Sequence, residues 1–202
     1  MKTYLALTAR ILGTYAAILA FVHGIFEMQQ GKAIVKSISI NAVGNGCVAD
    51  QIWHACFPSM TIWPTYLTAG LLTMTISALL FFFIVFFLNH QYSGWVIIAF
   101  AFANLLFGGG FIPTFAAIMA AIAILINKKQ KQKHDKDHKP FMAIWIILLS
   151  AYILYAAGGW LLGSYFNTIM VENSFLIFFI MDLLTPILSI IFARMADNHK
   201  SF

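Results

Sequence analysis

Long apolar segments separated by short polar connections make up most of this chain. They lie at 8–28, 61–88, 94–126, 141–165 and 175–193. A transmembrane α-helix needs about 20 consecutive apolar residues, and these segments are near or above that length. Only 9% of the residues are charged, against about 25% in a soluble domain, so a water-soluble surface cannot be built. The sequence predicts an all-α integral membrane protein, with residues 1–202 in a single membrane domain.

The segment 94–126 determines the number of spans. As one helix it would be about 50 Å long, whereas the hydrocarbon core is about 30 Å thick. The Gly-Gly-Gly run at 108–110 and the nearby Pro113 favour a turn. We therefore expect two short helices, 94–107 and 111–126, in a bundle of six transmembrane segments. One long kinked helix, or a re-entrant hairpin whose turn is shielded by protein, remains an alternative.

The distribution of basic residues indicates an orientation. Half of the 12 Lys and Arg residues lie in the loop 127–140, and clustered lysines are typical of the cytoplasmic side. The six-span topology then puts the long loop 29–60 outside and both termini in the cytoplasm, with the protein in the cell membrane. A five-span topology with an outward N-terminus places the same number of basic residues inside, so charge does not separate the two. The net charge of +5 comes from this loop and does not indicate nucleic-acid binding.

The two cysteines, Cys47 and Cys56, both lie in the predicted outer loop. An outward-facing loop is in an oxidising compartment, so we expect them to form a disulfide. His54 lies between them, but three ligands at this spacing match no standard zinc pattern. Free thiols are the main alternative, and no metal ion or other cofactor is expected.

Four polar residues within the apolar segments are the candidate ligand-binding residues: His23, Glu27, Asn104 and Asp182. Ionisable groups are costly in the bilayer and usually face the interior of a helical bundle. In the six-span topology all four lie in the outer half of the membrane. We expect them to converge on a polar pocket that is open to the outside and covered by residues 29–60. The alternatives are structural: His23 and Glu27 pair with each other, and a protonated Asp182 bonds to a neighbouring helix.

On the first helix, small and polar residues recur every three or four positions and form one stripe. Its members are Gly13, Ala16, Ala20, His23 and Glu27. Small residues allow helices to approach closely, so the small part of the stripe predicts a packing seam. The polar part would then face protein rather than lipid.

Two sequence motifs carry a resemblance. The first is His23-Gly24-Ile25-Phe26-Glu27-Met28-Gln29-Gln30-Gly31. The second is Thr61-Ile62-Trp63-Pro64, with Thr68-Ala69-Gly70 after it. Both motifs resemble an uncharacterised family of small bacterial multi-span membrane proteins. No activity is known for that family, so the resemblance implies a membrane fold and no function. Six spans in a chain of this length are also similar to the substrate-binding subunits of energy-coupling-factor vitamin transporters.

Three functions fit these features. The first is a transport or substrate-capture protein with a polar pocket in the outer half of the bilayer. The second is a non-catalytic accessory or immunity-type protein that binds a protein partner. The third is a membrane-embedded enzyme that uses His23 and the carboxylates for acid–base chemistry on a lipidic substrate. The expected partners are the lipid bilayer, a small-molecule or lipid ligand, and a protein partner, but no nucleic acid.

Overall fold

The computed structural model describes residues 3–41, 58–129 and 139–198. Its elements are α1 (Tyr4–Gln29), β1 (Ser39–Asn41), β2 (Pro58–Met60), α2 (Tyr66–Phe87), α3 (Ser93–Phe107), α4 (Phe111–Lys129), α5 (Lys139–Tyr165), α6 (Asn167–Glu172), α7 (Ser174–Ile177), a π-helical segment (Phe178–Leu184) and α8 (Thr185–Asn198). The two short strands pair antiparallel, with Ile40 opposite Ser59.

Five helices are long and apolar enough to cross a membrane. They are α1, α2, α4, the stretch Lys139–Gly159 of α5, and the continuous helix Ser174–Asn198 that α7, the π-helical segment and α8 form together. The helix α3 is apolar but shorter, at about 22 Å for its length. The predicted helical, membrane-embedded class is confirmed.

The apolar segment 94–126 is interrupted at its glycines. The helix α3 ends at Phe107 and α4 begins at Phe111. Gly108 has φ 116° and Gly110 has φ 82°, in the left-handed region that favours glycine because it has no Cβ. We call residues 108–110 the glycine turn.

The first turn of α1 meets the last turn of α8. The backbone N–H groups of Tyr4 and Leu5 donate to the two carboxylate oxygens of Asp197, at 2.8 and 2.9 Å. The first N–H groups of a helix have no partner within it, and a carboxylate there is also favoured by the helix dipole. This contact defines what we call the terminal end of the bundle.

The other helices have one end each at the terminal end. The side chain of Lys128, at the end of α4, donates to His90 O, Gln91 O and Ser93 Oγ in the connection between α2 and α3. The Tyr4 hydroxyl donates to the sulfur of Met142, near the start of α5. Successive long helices therefore run in alternating directions. The strands and the glycine turn lie at the opposite end, which we call the sheet end.

The helix α1 is at the centre of the bundle and packs against α2, α4 and α8. Its predicted small-residue seam is buried: Ala16 and Ala20 are almost inaccessible, and Gly13 faces Ile84 of α2 and Ala120 of α4. Alanines of α4 complete this part of the core. Close helix packing of this kind is how membrane bundles gain stability without a hydrophobic driving force.

The helices extend beyond several of the expected bounds. The first helix begins at Tyr4 rather than residue 8, and α4 continues to Lys129. Since α5 begins at Lys139, the lysine loop is shorter than the predicted 127–140. Polar residues at helix ends are compatible with a span because they reach the interface.

Candidate functional site

At the sheet end, His23 and Glu27 lie one turn apart on α1 and support the glycine turn. The Glu27 carboxyl packs directly against Gly108, where any Cβ would overlap it. The imidazole of His23 packs against Gly110 in the same way, and a Cβ there would lie 2.6 Å from His23 Cε1. Both side chains are buried, with 0% exposure for Glu27 and 3% for His23. The left-handed glycines therefore allow two polar side chains to contact the backbone directly.

The strand β2 covers the Glu27 carboxyl group. Ser59 Oγ, which is itself buried, donates to Glu27 Oε1 at 3.1 Å. Within the described part of the chain, Glu27 Oε2 is buried and has no hydrogen-bond partner. The carboxyl group is thus half satisfied, and it links the first loop to α1.

Asn104 holds the glycine turn from the α3 side. Its side-chain oxygen accepts a hydrogen bond from Ser77 Oγ of α2, at 3.1 Å. Its backbone oxygen accepts from Gly109 N at 2.6 Å and caps the end of α3. Thr73 Oγ of α2 also donates to Phe107 O, at 2.6 Å. The structure therefore brings three of the four predicted site residues, His23, Glu27 and Asn104, to the glycine turn.

Asp182 belongs to a second polar cluster. Its Oδ2 accepts a hydrogen bond of 2.8 Å from the Tyr155 hydroxyl of α5. Tyr15 of α1 and Tyr152 of α5 lie near the Asp182 carboxyl group, and their rings meet edge to face at 5.3 Å. The hydrogen bond of Asp182 thus joins α5 rather than the glycine turn. The glycine turn contacts α1 at His23, and the Asp182 cluster contacts α1 at Tyr15, about two turns earlier. The two contacts are therefore about 12 Å apart along the helix axis.

The π-helical segment Phe178–Leu184 positions Asp182. Pro186 follows it and has no N–H to donate, which loosens the backbone ladder. The Thr185 hydroxyl donates to Ile180 O at 2.7 Å, and the Thr185 backbone N–H donates to the same oxygen. Such π-helical turns frequently occur at functional sites.

The cluster of Asp182 and three tyrosines contains unsatisfied polar atoms. Among the residues that the structure describes, Asp182 Oδ1 and the Tyr152 hydroxyl are buried without a hydrogen-bond partner. A buried polar atom left unpaired is costly, so such atoms often indicate a bound molecule or water. Sequence reasoning missed the tyrosines. Their signal was the spacing of Tyr152 and Tyr155, which puts two hydroxyls on one face of an apolar helix.

A groove of about 660 Å³ runs between α1 and α5 beside this cluster. We call it the α1–α5 groove. It is lined by Leu7, Arg10, Ile11, Thr14, Tyr15, Ile18, Leu19 and Val22 of α1 and by Tyr152, Ile153, Ala156 and Ala157 of α5. Ile18 and Ile153 are 53% and 42% exposed, so the groove opens on the outer surface of the bundle. Its walls are apolar except at Arg10, Thr14 and the two tyrosines.

We expect Ser59→Ala to lower the free energy of unfolding by about 1–3 kcal/mol, because both oxygens of the buried Glu27 carboxyl would then be unpaired. Thermal unfolding of the purified protein in detergent measures the change. Ser37→Ala, at an exposed position of the same loop, is the matched control and should have almost no effect. Equal effects of the two substitutions would contradict a stabilising role for the Ser59–Glu27 hydrogen bond.

The predicted disulfide of Cys47 and Cys56, and His54 between them, lie outside the described residues.

Comparison of the chain with models of known protein families, with curated proteins and with solved structures finds no match. The resemblance carried by the two sequence motifs stays a prediction.

Proposed function

We propose that this chain is a substrate-capture or transport protein of the membrane, which takes an amphipathic molecule from the bilayer into the α1–α5 groove. The observation that carries the proposal is the groove itself: about 660 Å³, open to the membrane and bounded by tyrosines that lie beside a buried aspartate. Binding pockets typically have volumes of about 300–1,000 Å³, mostly apolar walls and a few placed polar groups. The α1–α5 groove has these properties.

The polar groups suit a ligand with one polar and one apolar end. Arg10 and Thr14 line the part of the groove nearer the terminal end, whereas Ile18 and Val22 line the part farther from it. In this proposal Asp182 acts as a positioning residue: it accepts the hydrogen bond of Tyr155 and fixes the tyrosine cluster at the inner wall.

The proposed topology has six spans, with both termini in the cytoplasm of a cell-membrane protein. Two observations support it. The long helices alternate in direction, with α3 running antiparallel to α4 from Ser93, beside Lys128, to the glycine turn. Of the seven described Lys and Arg residues, four lie near helix ends at the terminal end (Lys128, Lys129, Lys139 and Arg194) and two follow α1 at the sheet end (Lys32 and Lys36). The positive-inside rule assigns the end with more basic residues to the cytoplasm.

In this topology His23, Glu27 and Asn104 close the outer end of the bundle. The sequence predicts one polar pocket for these three residues and Asp182. In this proposal the three form the pocket without Asp182, whose hydrogen bond joins α5, and the glycine turn is its floor. The support is the buried, unpaired Glu27 Oε2, which can accept one further hydrogen bond.

A non-catalytic accessory protein is the second candidate function. It is favoured by the dense packing at the glycine turn, where His23 and Glu27 leave no room for even a Cβ on Gly110 or Gly108. In that case these polar residues stabilise the fold, and exposed loops contact a protein partner.

Photo-crosslinking with a diazirine-bearing fatty acid tests the groove. We expect labelled peptides from α1 and α5, and a several-fold loss of labelling in Ala157→Phe, because the larger side chain fills the groove. Leu154→Phe is the matched control, since Leu154 is 71% exposed on the same helix and does not line the groove.

Unchanged labelling in Ala157→Phe would overturn substrate capture at this groove. Labelling spread evenly over all lipid-facing helices would also overturn it, because such a pattern reports only the lipid that surrounds any membrane protein.

A further inference from the structure

Arg10 is a cation on the membrane-exposed surface of α1. It lies six residues after Tyr4, about 9 Å along the helix, and it lines the α1–α5 groove. Its side chain is exposed, and no residue within 3–41, 58–129 and 139–198 forms an ion pair or hydrogen bond with it. A charge within a transmembrane segment is costly unless it reaches the interface or binds an anion. The groove therefore has an unpaired positive charge at one end.

The length of the groove beyond Arg10 fits one leaflet. From Arg10 to Val22, both of which line it, α1 rises about 18 Å. Half of a hydrocarbon core of about 30 Å is about 15 Å. A chain that starts at the level of the headgroups would thus run along the groove to the middle of the bilayer.

We propose that the α1–α5 groove binds one anionic phospholipid of the leaflet at the terminal end. The phosphate lies at Arg10, the ester carbonyls lie near Thr14 and Tyr15, and one acyl chain extends past Ile18 to Val22. This assignment rests on the proposed function, since it names the class of molecule that the groove takes.

The chemistry of the groove selects an anionic headgroup. The guanidinium group of arginine is planar and binds phosphate oxygens in pairs, with charge-assisted hydrogen bonds. Thr14 and Tyr15 follow Arg10 by four and five positions, about 6–8 Å along the axis, and their hydroxyls can donate to ester carbonyls, which only accept. Basic pockets between helices on the cytoplasmic side are typical sites for anionic headgroups.

The test compares two phospholipids that differ only in headgroup. The full-length protein is reconstituted in nanodiscs with equal amounts of phosphatidylglycerol and phosphatidylcholine of identical acyl chains. Native mass spectrometry after mild release then gives the ratio of the two lipids retained. We expect a several-fold preference for phosphatidylglycerol in the original chain, and a ratio near that of the nanodisc in Arg10→Gln.

Two further variants separate the headgroup from the groove. Lys129→Gln removes an exposed charge at the same end outside the groove, and the preference should persist. Ala157→Phe should reduce retention of both lipids, whereas Leu154→Phe should not.

Each contrary outcome has a separate meaning. If Arg10→Gln keeps the preference while Ala157→Phe abolishes retention, the groove is a binding site but the phosphate does not lie at Arg10, and this assignment is wrong. If the original chain retains both lipids in the ratio of the nanodisc, the anionic class is wrong. If Ala157→Phe retains as much lipid as Leu154→Phe, the proposed function fails together with this inference.

Discussion

Gly108→Ala should destabilise the folded bundle by roughly 3 kcal/mol, which is large for one added methyl group. Two costs combine. Gly108 has φ 116°, a backbone conformation in which a residue with a Cβ is strained by about 1–2 kcal/mol. The new Cβ would also overlap the carboxyl of Glu27, which is fully buried and has little space into which to move. The measurement is the free energy of unfolding of the purified protein in mixed detergent.

Two other glycines provide controls that separate the backbone strain from the overlap with Glu27. Gly31 has φ 67° and open space around it, so Gly31→Ala should show the backbone strain alone, about 1 kcal/mol. Gly159 also has open space and is helical, so Gly159→Ala should be neutral or slightly stabilising. If Gly108→Ala lowers the free energy of unfolding by no more than Gly31→Ala does, the overlap of the new Cβ with the Glu27 carboxyl adds no cost. The tight contact between Glu27 and the glycine turn would then be contradicted.

A double-mutant cycle isolates the contact itself. Glu27→Ala removes the carboxyl that the new Cβ would meet, so Gly108→Ala should cost less in that background than in the original chain. Residues in direct contact typically show non-additivity of about 0.5–3 kcal/mol. Strict additivity would mean that the cost of Gly108→Ala is backbone strain only.

The glycine turn and the residues around it could be predicted from the sequence because their signals are local. Three consecutive glycines mark a turn by composition. His23 and Glu27 share a helix face because they are four positions apart. The expected depth placed Asn104 at the same level, and the structure brings these three residues together.

The environment of Asp182 could not be predicted in the same way. Its partner Tyr155 lies on α5, where the spacing of Tyr152 and Tyr155 marks one face by its hydroxyls. That spacing does not indicate which neighbouring helix the face meets. The π-helical segment also rotates the residues before Pro186 relative to a regular α-helix. The regular period of 3.6 residues per turn therefore does not predict where the Asp182 carboxyl lies.

The α1–α5 groove was missed for a related reason. A groove is a space between two helices, and its existence depends on how far apart they pack rather than on a pattern within either one. Small residues on α5, such as Ala156 and Ala157, are compatible with close packing or with an open groove. Arg10 is one of the basic residues whose distribution indicates the orientation, and a cation within an apolar helix also indicates a site for an anion.

Gly70→Ala should also be strongly destabilising, by roughly 3 kcal/mol, because it obstructs the crossing of α1 and α2. A Cβ at Gly70 would lie 2.5 Å from Gly24 O and 2.5 Å from Met28 N. Both atoms belong to the backbone of α1, so no side-chain rotation can relieve the overlap, and the helices would have to separate. Lost close packing is costly in a membrane bundle, where helices associate through van der Waals contacts and hydrogen bonds. Unfolding in mixed detergent again gives the free energy.

Gly13→Ala is the matched control, since it adds the same methyl group to a helix in the same bundle. Its Cβ would lie 2.6 Å from Ile84 Cδ1, which is the flexible end of a side chain and can change rotamer. Both substitutions gain up to about 1 kcal/mol of helix propensity. The difference between their free energies of unfolding therefore reports packing alone. We expect Gly13→Ala to cost about 1 kcal/mol at most. Equal stability of the two variants would show that α1 and α2 do not cross as closely as Gly24 and Gly70 indicate, and the support that α2 gives to Asn104 through Ser77 would then be in doubt.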